Sequence, residues 1–236
     1  NTVPMDNTSA LFQSYNATGL AQYLHPAGFG FFGTGVQPAP YGYGNYFWSK
    51  FGEHVAQRLN VPVLLYNAAF GGTSLEHWSK SSQGIGFEHS FVNASIRMPY
   101  ITLYNTLTSY IPLTGLRAVL SDQGQNDYPQ TNEDLVLQYY QTWVNQARTD
   151  LGSPSMAVVV NRATPFMTQP HIRRVQERMI QTPCCFAGPD YDTLAAEDRY
   201  DGTHLSLSGQ TKAAQMWSDA LNDGFFAASA PWLPSF

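Results

Sequence analysis

Short apolar runs, each ending in a polar turn and followed by an amphipathic stretch, constrain this chain more than any other feature. Pro62–Tyr66, Arg117–Leu120 and Met156–Val160 are four or five residues long, rich in Val and Leu, and lack the polar alternation of a half-solvated strand. Such runs suit strands buried on both faces, as parallel sheets require. A helix from Asn45 places Phe47, Phe51, Val55 and Leu59 on one face, and Pro99 opens another carrying Leu103, Leu107 and Ile111. Asn132, with Glu133 and Asp134 in the following turn, caps a third helix whose buried face reads as Leu135, Tyr139, Trp143 and Ala147, and Gly152 stops it. A fourth helix near Pro170 carries Ile172, Val175 and Met179. Thr182–Ala187 reads as a further strand, and a last helix from about Ser208 to Asn222 buries Ala213, Met216, Trp217 and Ala220. The alternation predicts an α/β fold with a central parallel sheet and helices on both faces, where ligands collect at the carboxyl ends of the strands.

With 236 residues, 43% of them hydrophobic, the chain can bury one sizeable core, so residues 1–236 are read as a single domain. Residues 1–44 show no sustained period and read as an irregular approach segment. A net charge of -5 and the absence of any Lys/Arg run exclude nucleic acid as a partner, because phosphate neutralisation supplies most of that affinity. No apolar run approaches the ~18 residues of a membrane span. Charged residues make up only 12%, against about 25% in average proteins, and the neutral polar surface that this implies suits a secreted or cell-surface protein. Asn7, Asn16 and Asn93 open N-x-S/T sequons, compatible with that location. The adjacent Cys184 and Cys185 are expected to be free thiols, since neighbouring Cα atoms ~3.8 Å apart lie below the usual disulfide span.

Three turns carry groups suited to chemistry. Asp201-Gly-Thr-His204 sets a carboxylate three positions ahead of an imidazole. A carboxylate on one ring nitrogen fixes the tautomer and leaves the other nitrogen to take a proton from a hydroxyl. Gly71-Gly72 follows the first apolar run and Gly124-Gln-Asn126-Asp the second. In ester hydrolysis a glycine N–H and a neutral side-chain amide suit the developing oxyanion, and such donors each contribute about 3 kcal/mol. Taken singly, each turn reads equally as a structural loop, with Ser74 as a helix cap and Trp78 as packing. No H-E-x-x-H or Cys/His spacing calls for a metal, and no G-x-S-x-G is present.

Asn67-Ala-Ala-Phe-Gly-Gly-Thr-Ser-Leu-Glu-His-Trp78, Gln123-Gly-Gln-Asn-Asp127 and Asp201-Gly-Thr-His-Leu-Ser206 occur in that order, and over about residues 45–223 the chain resembles the SGNH (GDSL-like) hydrolases, in particular their sialate O-acetylesterase and carbohydrate acetylesterase branch. The resemblance implies a flavodoxin-like three-layer sandwich, no metal or organic cofactor, and an acylated carbohydrate as substrate. It implies His204 as general base, Asp201 as its orienting carboxylate, Gly72 as backbone oxyanion donor with Gly71 as the alternative, and Asn126 as side-chain donor. Tyr128 and Arg173 are candidate substrate contacts, with Gln176 beside them.

The serine expected from the resemblance, in a G-D-S or G-Q-S-N motif after the first, central strand, has no counterpart. Ser14 in Phe12-Gln-Ser-Tyr-Asn16 is the nearest match, but it lacks the glycine and a preceding apolar run. Without that strand its neighbours would face each other across about 9–10 Å, twice the strand spacing. The expectation is therefore that a preceding segment or chain completes the sheet and brings the serine. The competing expectation is a non-catalytic glycan-binding or surface-interaction module on the same fold.

Overall fold

The computed structural model describes residues 46–235 apart from 168, together with the backbone of Pro4–Met5 (β1) and Gln37–Pro38 (β2), which pair antiparallel. Ser14 and Asn45 lie outside the described residues. The central sheet contains β3 (Val119–Ser121), β4 (Val158–Arg162) and β5 (Cys185–Asp190), in the order β3-β4-β5 and all parallel. Val158, Val159 and Val160 of β4 are completely buried, which is why this β-branched run sits between the other two strands. Each such side chain contributes about 1.5–3 kcal/mol by leaving water. Gly188 of β5 passes so close to β4 that a Cβ there would lie 2.8 Å from the Val160 carbonyl oxygen.

Val158 and Val160 point into one apolar layer, and Ala157 and Val159 into the other. The first layer is built by α2 (Leu75–Ser82), α3 (Tyr100–Asn105), α4 (Ile111–Thr114), α5 (Glu133–Leu151) and α6 (Pro170–Ile180). A π-helical turn, Thr106–Tyr110, joins α3 to α4. The second layer is built by α1 (Trp48–Leu59), α7 (Leu207–Ala220) and α8 (Asp223–Ala228) around the fully buried Trp217, whose indole N–H donates to the Tyr191 hydroxyl at 2.8 Å. The result is a three-layer α/β sandwich, as the alternation predicted. Among the described residues no helix is long and apolar enough to cross a membrane.

Several expectations need correction. The three strands of the sheet start two or three residues later than the apolar runs suggested. Ahead of β3, Leu116 is drawn off into an antiparallel bridge with Trp232. Pro62–Tyr66 is extended but forms isolated bridges at Leu65 and Asn67, not a ladder. Among the described residues it lines, together with β3, a cavity of about 520 Å³ whose walls include Phe51, Leu65, Leu107, Leu120 and Trp143. On α5 the buried face is Val136, Tyr140, Trp143, Val144 and Ala147, with Leu135 and Tyr139 only half-buried. That stripe is rotated by one residue because α5 packs on α2 and α6 as well as on the sheet. On α7, Met216 and Ala220 are half-buried and Ala214 takes the core position. The two thiols are free, as expected.

Candidate active site

The turn after the extended run is positioned by α2. Ser74 is its N-cap, accepting from the His77 N–H, while the Ser74 N–H donates to the His77 ring. Ser74 is thus a cap with its hydroxyl engaged. Trp78 is buried and donates to the Thr73 hydroxyl at 2.9 Å, which confirms its packing role. Gly72 adopts φ +72°, a left-handed conformation that β-carbon-bearing residues adopt only with strain, and a Cβ there would stand 2.8 Å from the Phe91 ring. Its N–H makes no hydrogen bond to a described residue.

The loop after β3 meets this turn. The Asn126 amide donates to the Gly72 carbonyl at 3.3 Å. Beside it, buried Asp127 accepts the Leu75 N–H with both carboxylate oxygens, at 3.0 and 2.9 Å. Burial pushes the Asp127 carboxyl up to about 7, although N–H groups of Leu75 and Glu76 at the start of α2 pull the other way. Asp127 was present in the Gly124–Asp127 motif but was given no role from sequence. Its partner lies 52 residues away, so its function as a latch between the two loops is visible only in three dimensions. Gly71 is exposed beside Gly72, and the Tyr128 ring is exposed just past Asn126, its carbonyl accepting from the His171 ring at 2.9 Å.

After β5 the chain forms a narrow turn in which the Tyr200 N–H donates to the His204 carbonyl and Arg199 bridges to Leu205. His204 Nδ1 and Asp201 Oδ2 are 2.6 Å apart, while the Thr203 and His204 N–H groups donate to Asp201 Oδ1 at 3.0 and 2.7 Å. Those bonds hold the Asp201 carboxyl down, to about 2, so it is ionised across the physiological range. His204 Nε2 makes no bond to a described residue, and the side chain is two-thirds exposed under the stacked Tyr200 ring.

Arg199, missed in the sequence, fixes this turn. Its guanidinium is buried and donates to the carbonyls of Thr164 and Tyr191 and to Asp192. Arg173, expected near the substrate, is committed to Asp190, Asp192 and Glu177 and acts instead as a brace for the same network. Gln176 is buried and ties the β3 and β4 ends together through Gln123 and Ala163. The two donor–acceptor pairs, Gly72 with Asn126 and Asp201 with His204, therefore stand on loops at the carboxyl side of one sheet. Among the described residues no group of three metal-ligating side chains occurs.

Fold and loops define a three-layer α/β protein whose polar groups gather where its parallel strands end. The chain belongs to the carbohydrate esterase family described as sialic acid-specific acetylesterases, whose model matches residues 42–223. Among solved structures it is similar to an Arabidopsis thaliana protein at 18% identity and TM-score 0.61, over 81% of this chain and 72% of that one. It is also similar to a carbohydrate acetylesterase from Xanthomonas citri at 14% identity and TM-score 0.57, over 80% of this chain and 43% of that one. No curated protein matches it. The family supports a carbohydrate acetylesterase activity, and the neighbours support the sandwich fold.

Proposed function

We propose that this polypeptide is a serine esterase that removes O-acetyl groups from a carbohydrate through an acyl-enzyme. The observation that carries this reading is the Asp201–His204 pair: the carboxylate holds Nδ1 at 2.6 Å and Nε2 points to solvent without a partner among the described residues. In this reading His204 takes the proton from the attacking serine and returns it to the departing sugar hydroxyl, and Asp201 steadies the imidazolium. The Gly72 N–H, with Gly71 as the alternative, and the Asn126 amide stabilise the oxyanion. Asn126 would turn from the Gly72 carbonyl to the substrate, and the exposed Tyr128 ring just past it would contact the sugar.

The nucleophile in this proposal enters on a strand of a preceding segment that completes the sheet beside β3. The space beside β3 is lined by apolar side chains and by Asp122 and Gln123, a few residues from Asn126. A strand seated there would leave its carboxyl end beside the oxyanion donors. The test is p-nitrophenyl acetate turnover by the full reading frame, its loss in His204→Ala, and labelling with a fluorophosphonate followed by peptide mapping. Label on a serine ahead of Asn1 supports the proposal. Label on Ser14 moves the nucleophile into this chain and overturns the strand assignment. Absence of both turnover and label, with acetylated sugar still bound, leaves a glycan-binding module.

A further inference from the structure

One residue beside the Asp201–His204 turn holds a backbone conformation that its side chain disfavours. Phe166 lies in the short helical turn Pro165–Met167 after β4, at φ +54° and ψ 16°. Residues with a bulky side chain enter this left-handed region only with strain, which persists where surrounding bonds over-determine it and gathers at functional sites. Two contacts hold Phe166 there, both to Gly202. Its N–H donates to the Gly202 carbonyl at 3.1 Å. Its ring, 57% exposed, covers the turn at a point where a Cβ on Gly202 would stand 2.5 Å away.

The Gly202 carbonyl shares a peptide unit with the Thr203 N–H, and that N–H donates to Asp201 Oδ1 at 3.0 Å. A peptide unit is planar, so a partner that fixes the carbonyl also fixes the direction of the N–H on its opposite edge. Phe166 thereby orients a donor that holds Asp201, and Asp201 Oδ2 lies 2.6 Å from His204 Nδ1. The Arg199 guanidinium reaches the same carbonyl only at 3.5 Å, longer than a well-formed N–H···O bond. Phe166 is the closer of the two partners.

The residues ahead of Phe166 are themselves pinned. The Thr164 N–H and hydroxyl each donate to Asp192 at 2.9 Å, and the Thr164 carbonyl accepts from Arg199 at 3.0 Å. The Ala163 N–H donates to the buried Gln176 amide at 3.0 Å and its carbonyl accepts from it at 2.9 Å, while the same amide donates to the Gln123 carbonyl at 3.1 Å. Gln123 opens the turn that carries Asn126. A connected set of bonds therefore runs from the Asn126 loop through residues 163–166 to the Asp201–His204 turn, and the Phe166 N–H is its last link.

We propose that Phe166 is a positioning residue for the base: its left-handed backbone aims the N–H at Gly202 and so keeps Asp201 on His204 Nδ1. The proposal rests on the esterase reading above, in which His204 is the base. Its test compares Phe166→Val, Phe166→Asn and Phe166→Gly in the full reading frame. All three keep the N–H, but valine tolerates the left-handed region least and glycine most. Phe166→Val should lower kcat for p-nitrophenyl acetate by ~10–100-fold with KM little changed, while Phe166→Gly and Phe166→Asn stay within ~3-fold of wild type. In an Asp201→Asn background Phe166→Val should cost less than ~3-fold, since it acts through that carboxylate. Long-range proton–nitrogen NMR correlation reads the His204 tautomer without turnover: the ring proton should sit on Nδ1 in wild type and Phe166→Gly, and spread to Nε2 in Phe166→Val. Unchanged kcat and tautomer in Phe166→Val, or full additivity with Asp201→Asn, overturns the proposal. A glycine variant impaired as much as the valine one also overturns it, because the ring and not the backbone would then be what matters. If Phe166→Val does not fold, Phe166→Gly decides: retained kcat and Nδ1 tautomer support the proposal, and loss of either overturns it. A wild type without turnover sinks the esterase reading alone, since the tautomer still reports on Phe166.

Discussion

Replacing Asp127 tests whether one buried carboxylate sets the geometry of the oxyanion turn. In Asp127→Ala the Leu75 N–H, on a residue with no solvent exposure, loses both of its acceptors. An orphaned buried donor costs about 1–3 kcal/mol. Relief of the carboxylate's own desolvation offsets part of this, for a net loss of roughly 2 kcal/mol, or ~4–8 °C in Tm for a chain of this size. Asp127→Asn keeps one acceptor and should stay within about 1 kcal/mol near pH 7. The two differ from wild type in a second way. The folded carboxyl is raised from 3.8 to about 7, so the folded state keeps a proton that the unfolded chain releases between those values. Its stabilising contribution is full below pH 4 and is lost as pH rises through 7, at up to ~1.4 kcal/mol per pH unit. Asparagine does not titrate, so the advantage of wild type over Asp127→Asn should shrink by roughly 2–4 kcal/mol between pH 4 and pH 8. Urea unfolding followed by tryptophan fluorescence at pH 4.5, 6 and 8 measures it. A difference that does not change with pH, or an alanine variant as stable as wild type, would refute the latch.

Other consequences concern the chemistry. Asp201→Asn should lower kcat by ~10³–10⁴ with little change in KM, since the carboxylate orients the ring and steadies its charge; unchanged kcat would remove Asp201 from the mechanism. Because the Asp201 carboxyl is held down to about 2, it remains ionised during mild acidification. Loss of rate on mild acidification does not then come from Asp201, and a rate flat from pH 8 to 5 would contradict a histidine base. Asn126→Ala should cost ~10²–10³ in kcat if its amide meets the oxyanion; a loss confined to KM would assign it to ground-state binding. Gly72→Ala places a methyl group 2.8 Å from the Phe91 ring on a backbone at φ +72°, and should cost about 1–3 kcal/mol of stability along with activity. Adding Phe91→Ala should relieve only the steric part, and complete rescue would show that backbone strain is negligible.

The amino-acid order by itself determined the layers of this protein and the local half of its site. Val158 to Val160 can satisfy three β-branched side chains only by burial on both faces, so a parallel sheet flanked by helices was legible. Asp201 and His204 lie three residues apart, close enough for turn geometry alone to join them. Gly72 and Asn126 were legible as types of donor, but not as neighbours. What the tertiary structure decided were the long-range choices. It chose which stripe of α5 faces inward, because α2 and α6 compete with the sheet for that helix. It made Asp127 a latch on α2, and turned Arg173 into a brace for Asp190 and Asp192 instead of leaving it at the substrate. Periodicity describes a helix or strand against an average environment. A hydrogen bond between residues 52 positions apart, or an ion pair between α6 and the loop after β5, exists only once the sheet has fixed the distance between them.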